Sequence, residues 1–258
     1  MGTDSPVPSP TLGLDRTRYS PAMRRIWPWP AVLLEEVAAW IKELPGDLWL
    51  DAACGEGQLG ELMGKRKRLL GLDMDWQRLR RAHRRPYVAL FQGTVDSLPL
   101  TRGSLNGIAS VETLEHVADM DAALKEFARC LRTHGYLLLT IPSVTLRSFW
   151  QMQVTRQPVY CDPKEHIREF SAVPVRGFPH IFETWRSLEA RAERHGFAVV
   201  RGRGVGFLLP MWRGRWAWVE RGMNVLYRET INRWLGRLPV VRRFPYYRIY
   251  LFQYRGSE

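Results

Sequence analysis

Up to residue 142 the chain alternates short apolar runs with amphipathic stretches. Residues 31–44 (AVLLEEVAAWIKEL) place Val32, Leu33, Val37, Trp40, Ile41 and Leu44 at helical spacing on one face. Pro45-Gly46 ends that helix. Leu48-Trp49-Leu50 is a buried-strand candidate running into Asp51, followed by the loop AACGEG and a second helical stretch. The rhythm then repeats. Leu69–Leu72 reads as a strand ending in Asp73, and the basic helix WQRLRRAHRR is stopped by Pro86. Strands are expected at Val88–Gln92 and Leu105–Val111, then a helix running from an acidic cluster through Leu131. His134-Gly135 reads as a turn and Tyr136–Ile141 as a strand closed by Pro142. Strands alternating with helices predict a parallel α/β sheet.

Beyond Pro142 the pattern changes. Residues 143–180, rich in proline and aromatics, read as a loop or lid. A helix is expected over 183–195, with Trp185, Leu188 and Ala192 on one face and Gly196 at its end, then strands at Phe197–Val200 and Tyr247–Tyr254. Between them, Trp212, Trp216, Val219, Met223 and Leu226 recur every three or four residues among arginines, which predicts a helical insertion at about 208–243. Residues 1–30 read as a flexible arm, leaving 31–258 as a single domain.

At 258 residues and 45% hydrophobic content the chain can bury a sizeable core. The net charge is +12, and only five of the 38 basic residues are lysines. Arginine binds phosphate and carboxylate bidentately, so the excess suits an anionic partner as well as a plain arginine-rich surface. Residues 201–258 hold twelve arginines, three glutamates and no lysine or aspartate, which accounts for +9 of the total. The three cysteines form no CxxC pair and no disulfide framework, which favours a reducing compartment. With no signal-like apolar core near the N-terminus and no membrane-length apolar run, a cytoplasmic protein is expected, with peripheral membrane contact through 211–238 left open.

Two clusters carry candidate chemistry. The first is Asp51-Ala52-Ala53-Cys54-Gly55-Glu56-Gly57, placed where open α/β sheets bind ligands. Asp73 follows about twenty residues later, where a carboxylate can accept bonds from ribose hydroxyls. There is no GKS or GKT, so a Walker loop is excluded, and Gly55, Gly57 and Gly60 do not make GxGxxG. An acidic loop start suits a cationic cofactor better than a pyrophosphate. The second cluster is ETLEH. If the chain turns helical after Val111, then Glu112, Glu115 and His116 lie at i, i+3 and i+4 and share a face. Glu and His are ligands for hard or borderline divalent ions, and His166 in DPKEHIREFS offers a fourth.

LWLDAACGEGQLG (48–60), LLGLDMD (69–75), FQGTVDSLPL (91–100), LNGIASVETLEHV (105–117) and LLLTIPS (137–143) together resemble the class I S-adenosylmethionine-dependent methyltransferases, of the type 11-like kind, over roughly residues 30–200. The resemblance implies a Rossmann-like sheet with helices on both faces, a lid, a helical insertion and S-adenosylmethionine as methyl donor. It implies that Asp51, Ala53, Gly55 and Gly57 line the methionine end, Asp73 holds the ribose, Met74 packs on the adenine, and Thr94, Val95 and Asp96 meet the adenine edge. Ala53 stands where glycine is usual. Thr94 stands where an aspartate is common, with Asp96 two residues on.

The set Glu112, Glu115, His116 and His166 is similar to the ExxEH…H metal pattern of ubiquinone-biosynthesis O-methyltransferases and small-RNA 2′-O-methyltransferases. Many metal-free methyltransferases carry LEHV at this place, so capping or cofactor contact is the competing role. The reading is divalent-metal-assisted O-methylation, with Mg²⁺ or Mn²⁺ favoured, of a small or lipid-linked vicinal diol or catechol. His116 or water would take the proton. The alternatives are 2′-O-methylation of RNA and a scaffold that binds cofactor without catalysis. No RRM, KH or OB signature is present, which lowers the RNA reading.

Overall fold

The protein is described from a computed structural model covering residues 29–117, 119–142, 160–161, 180–181, 185–207 and 245–256. The expected lid (mostly), the arm before residue 29, the 208–243 insertion and His166 lie outside these residues.

Seven strands form one sheet: β1 (Leu48–Ala52), β2 (Arg68–Asp73), β3 (Ala89–Gln92), β4 (Leu105–Val111), β5 (Leu131–Pro142), β6 (Phe197–Phe207) and β7 (Pro245–Tyr254). Their order is β3-β2-β1-β4-β5-β7-β6. The β1 to β5 neighbours pair in parallel, as the alternating pattern predicts. β7 departs from that pattern and pairs antiparallel with both β5 and β6. The helices are α1 (Trp29–Glu43), α2 (Gln58–Met63), α3 (Trp76–Ala82), α4 (Met120–Cys130) and α5 (Trp185–Arg194). Tyr160–Cys161 and His180–Ile181 form a separate two-stranded pair, and His180–Ile181 comes up against the turn that follows β4.

The strands are apolar on both sides, as strands with helices on both faces must be. Trp49, Leu69, Ala109, Leu138, Ile249 and Leu251 face Leu33, Val37 and Ile41 of α1 and Leu59 and Met63 of α2. Leu50, Leu72, Ile108, Leu137, Leu139 and Phe252 face Ala123, Leu124 and Phe127 of α4 and Leu188 and Ala192 of α5. The two layers are the physical content of the Rossmann-like reading. At ~25 cal/mol per Å² of apolar surface, they are its main source of stability.

Two local predictions changed on folding. The turn expected at His134-Gly135 is an outward irregularity inside a longer strand. Leu105 pairs with Leu131 and Gly107 with Tyr136, so the residues between are extruded, with His134 at φ 63°. The helix expected to start at the acidic cluster does not start there. Glu112 adopts φ 47°, Leu114–His116 make a single 3-10 turn, and α4 begins at Met120, capped by Asp119 accepting from the Ala122 N–H at 3.0 Å.

Candidate active site

The strand order reverses between β1 and β4, and the carboxyl ends of β1, β2 and β4 open at that crevice, where α/β sheets bind ligands. Asp51 is the fourth residue of β1. Ala53 follows at φ 64°, Gly55 at φ 56° and Gly57 at φ 85°. This left-handed turn folds the chain back sharply into α2. At position 53 it is held by a residue with a Cβ, at a strain of about 1–2 kcal/mol.

Asp73, the last residue of β2, fastens that turn. One carboxylate oxygen accepts the Gly55 N–H at 2.8 Å and the other accepts the Asp75 N–H at 2.9 Å. The carboxylate is 2% exposed, and Arg78 Nη1 approaches it at 4.0 Å. Asp75 in turn caps α3, accepting from the Gln77 and Arg78 N–H groups. Met74 lies between the two aspartates and is 69% exposed, a large apolar side chain left uncovered just after β2.

Asp51 is 3% exposed. Burial pushes its carboxyl up to about 7, and the charge of Asp73 adds to this. A hydrogen bond from Tyr87 pulls the other way. Cys54, buried below the turn, has its thiol pushed up by the same burial and by both aspartates, so it fills space and is no nucleophile.

The 94–96 segment is anchored through its middle residue. Val95 is buried in the core, while Thr94 and Asp96 are both exposed. A clamp from α4 fixes the segment that follows. Glu126 accepts the Leu98 N–H at 2.9 Å, and Arg129 donates to the carbonyls of Leu98 at 2.9 Å and Leu100 at 2.8 Å. The two side chains also bond each other, Arg129 Nε to Glu126 Oε1 at 2.7 Å. Sequence reasoning did not find this pair. Its only mark in the sequence is an i, i+3 acid–base spacing on a helix, which is common on exposed faces.

The second cluster is built differently from the expectation. A helix would have put Glu112, Glu115 and His116 on one face. The positive φ at Glu112 and the 3-10 turn at Leu114–His116 take the place of that helix. The backbone N–H of Glu112 is held by Thr140 Oγ1 at 3.0 Å, Glu115 is buried to 1% exposure, and His116 Nε2 lies 4.0 Å from Glu115 Oε1. Among the described residues no three His, Cys, Asp or Glu side chains converge as metal ligands. The shared-face geometry is therefore corrected, and His166 lies outside the described residues.

Tyr87 is a site residue that sequence reasoning also missed. It lies between α3 and β3, and its hydroxyl donates to Asp51 Oδ2 at 2.6 Å. His83 and His134 are exposed. His195 bonds Asp121 Oδ1 at 2.7 Å, where Arg191 also pairs, tying α5 to α4.

The sequence between Leu50 and Leu139 matches the family model described as a methyltransferase domain. Two curated relatives are 31% identical to the chain. One is an uncharacterised 37.1 kDa transposon protein of Streptomyces fradiae, matched over 54% of this chain and 41% of that one. The other is a probable S-adenosylmethionine-dependent methyltransferase of Mycolicibacterium smegmatis, matched over 36% and 37%. The chain thus spans less than half the length of these relatives. Among solved structures, a Haloferax volcanii chain from a complex with the Trm112 methyltransferase activator superposes with TM-score 0.58 at 16% identity, over 94% of both chains. An S-adenosylmethionine-dependent methyltransferase of Thermotoga maritima superposes with TM-score 0.56 at 18% identity, over 92% of this chain and 96% of its own. At such identities these neighbours speak for the fold alone, the Rossmann-like sheet with helices on both faces.

Proposed function

We propose that this chain is an S-adenosylmethionine-dependent O-methyltransferase acting on a small or lipid-linked molecule with neighbouring hydroxyls, of the vicinal-diol or catechol type. The observation that carries the donor half is the pair of buried carboxylates around the glycine turn, Asp51 and Asp73, inside the methyltransferase domain. Buried acids at a strand rim favour a cationic ligand, and S-adenosylmethionine carries both an ammonium and a sulfonium. Asp73 would meet the ribose, Met74 the adenine face, and Thr94 or Asp96 the adenine edge.

In the proposed reaction the acceptor oxygen attacks the methyl carbon opposite sulfur. The C–O bond forms as the S–CH₃ bond breaks, and the bonding pair stays on sulfur, leaving a neutral thioether. The acceptor proton passes to His116 or to water. The protein's contribution is chiefly alignment, which is worth several kcal/mol of barrier, on the order of 7–11 at the upper end. His116 suits the base role because its side chain is one-third exposed at the end of β4, beside the crevice.

A divalent cation held by Glu112, Glu115, His116 and His166 would lower the acceptor's pKa when bound. Among the described residues Glu112, Glu115 and His116 do not converge as metal ligands and His166 is not described, so no step is routed through the ion. No described helix is long and apolar enough to cross a membrane. Peripheral membrane contact through 211–238 remains part of the proposal for lipid-linked acceptors.

The test is methyl transfer from labelled S-adenosylmethionine to a panel of catechols, sugars and RNA 3′ ends, with and without chelator. Turnover on catechols or diols is the expected result. Turnover confined to RNA ends would replace the acceptor class, and donor binding without turnover on any acceptor would favour the scaffold. Loss of turnover with chelator would restore the metal.

A further inference from the structure

The glycines of the turn are shaped around a side chain as much as around a ligand. A Cβ on Gly60 would lie 2.5 Å from the Tyr87 ring, one on Gly57 2.9 Å, and one on Gly71 3.1 Å. These glycines belong to three segments: α2, the turn before it, and β2. The tyrosine ring fills the space beside Gly60, and it shares the space beside Gly57 with Arg85 and Ala82 and that beside Gly71 with Leu90 and Cys54. Its hydroxyl accepts the Gly60 N–H at 3.2 Å and donates to Asp51 Oδ2 at 2.6 Å. Tyr87 thus connects the start of α2 to the end of β1 beneath the turn.

Among the described residues, the Tyr87 hydroxyl is the hydrogen-bond donor to the Asp51 side chain. The other titratable groups acting on Asp51 are Asp73 from β2 and Cys54 from the turn, with Arg78 of α3 reaching the site through Asp73. Neither carboxylate–carboxylate nor carboxylate–thiol proximity stabilises an anion. The phenol does, because a donor aimed at a carboxylate favours its charged form.

We propose that Tyr87 is a positioning residue for the methyl donor, holding the Asp51 carboxylate oriented and ionised beneath the glycine turn so that it can receive a cationic cofactor. This rests on the methyl-donor reading above. The phenol acts through Asp51 and touches no reacting atom. Tyr87 lies 36 residues from its partner and outside the motifs that carry the methyltransferase resemblance.

The sign of the pH dependence follows from the charges. A cationic donor binds the ionised form of Asp51 better, so affinity should rise with pH through the carboxyl's raised value of about 7. Removing the phenolic hydroxyl takes away the contribution that lowers that value, so the rise moves to higher pH.

The experiment is calorimetric titration of the full chain with S-adenosylmethionine from pH 6 to 9, on wild type, Tyr87→Phe and Asp51→Asn. Wild type should tighten up to about tenfold across neutrality, since one pKa unit corresponds to a tenfold change in ionised fraction. Tyr87→Phe should move the midpoint alkaline by about one unit, weakening binding at pH 7 by up to about tenfold. Asp51→Asn should bind weakly with a flat profile. If Tyr87→Phe fails to fold, 3-fluorotyrosine at position 87 serves instead. As a stronger donor of nearly the same shape, it should move the midpoint to lower pH. A midpoint unmoved in a folded Tyr87 variant overturns the inference and leaves the methyl-donor reading standing. A wild type that binds no donor at any pH overturns both.

Discussion

The proposed donor side of the crevice, at β1 and β2, and the proposed acceptor side, at β4, are built in different ways. At the ends of β1 and β2 the backbone turn is fastened from several directions, by Asp73 on the Gly55 N–H, by Tyr87 on the Gly60 N–H, and by the tyrosine ring packed against Gly60. At the end of β4 there is one 3-10 turn, a strained Glu112 and a buried Glu115, with no converging set of metal ligands among the described residues. A donor common to many enzymes can be met by a rim that a single stretch of sequence encodes. An acceptor pocket draws on distant segments, and at the β4 turn one distant segment, His180–Ile181, does come up against the chain. Local motifs therefore identify the donor far better than the acceptor.

The largest expected effect tests how far the donor rim depends on one carboxylate. Asp73→Ala leaves the Gly55 and Asp75 N–H groups without their acceptor, at a cost of about 2–4 kcal/mol. Donor affinity should fall at least about a hundredfold by calorimetry (~2.7 kcal/mol). Donor binding as tight as wild type would mean that the turn is not prebuilt by Asp73.

Next comes Asp51→Asn, read by thermal denaturation against pH without cofactor. The native carboxyl of Asp51 is raised from 3.8 to about 7, so wild type is favoured at low pH and loses stability as pH climbs through that window. The loss is on the order of a few kcal/mol. The Asn variant should lack this slope, and above about pH 7 the gap between the two should stop changing. Parallel pH profiles would show that Asp51 is not buried as an acid.

A paired substitution then contrasts the two sides directly. Ala53 on the donor side and Glu112 on the acceptor side both hold left-handed backbone, at φ 64° and 47°. Glycine at either position relieves strain of about 1–2 kcal/mol, partly offset by glycine's greater unfolded-state freedom. Both Ala53→Gly and Glu112→Gly should therefore melt slightly higher, by roughly 0.5–1 kcal/mol of stability. If the proposed acceptor-side role of Glu112 holds, only Glu112→Gly should lower turnover, because backbone strain tends to be kept at functional sites. Equal turnover in both variants would place Glu112 outside the chemistry.

The smallest effect concerns the helix layer behind the acceptor side. Asp121 is held below the usual carboxylate range by its bond to His195, with Arg191 and Arg194 adding to it. Asp121→Asn should cost no more than about 1 kcal/mol, since the group is well exposed and solvent screens it. That contribution should already be fading in wild type as pH falls through the Asp121 carboxyl's lowered value. Cofactor affinity unchanged in a titration of this variant would confirm that the α4–α5 tether is structural.

Much of the sheet was legible from pattern alone. The run LWLDA, the run RLLGLD and the stretch before Pro142 each became strands, because a sheet covered on both faces demands continuous apolar segments. The glycine turn and Asp73 were legible for a related reason, since left-handed turns need small residues and the acid closing β2 lies at a set distance along the chain. The break after Glu112 was not. Acid and imidazole spacing fits a helix as well as a tight turn, and burial of Leu114 and Glu115 decided between them. The Glu126–Arg129 clamp was equally hidden, since an i, i+3 pair on a helix gives no sign that its outer atoms reach another segment's carbonyls.

What the amino-acid order determined by itself was the alternation of elements, the acidic glycine turn and hence the kind of cofactor the rim suits, because these depend on neighbours within a few residues. The antiparallel course of β7, the tyrosine beneath the turn and the 3-10 turn that replaces a helix at Leu114–His116 were decided only in three dimensions. Each depends on which distant surface a side chain or strand meets. Bonds such as Tyr87 to Asp51 form only once helix and strand have packed to bring them within 2.6 Å.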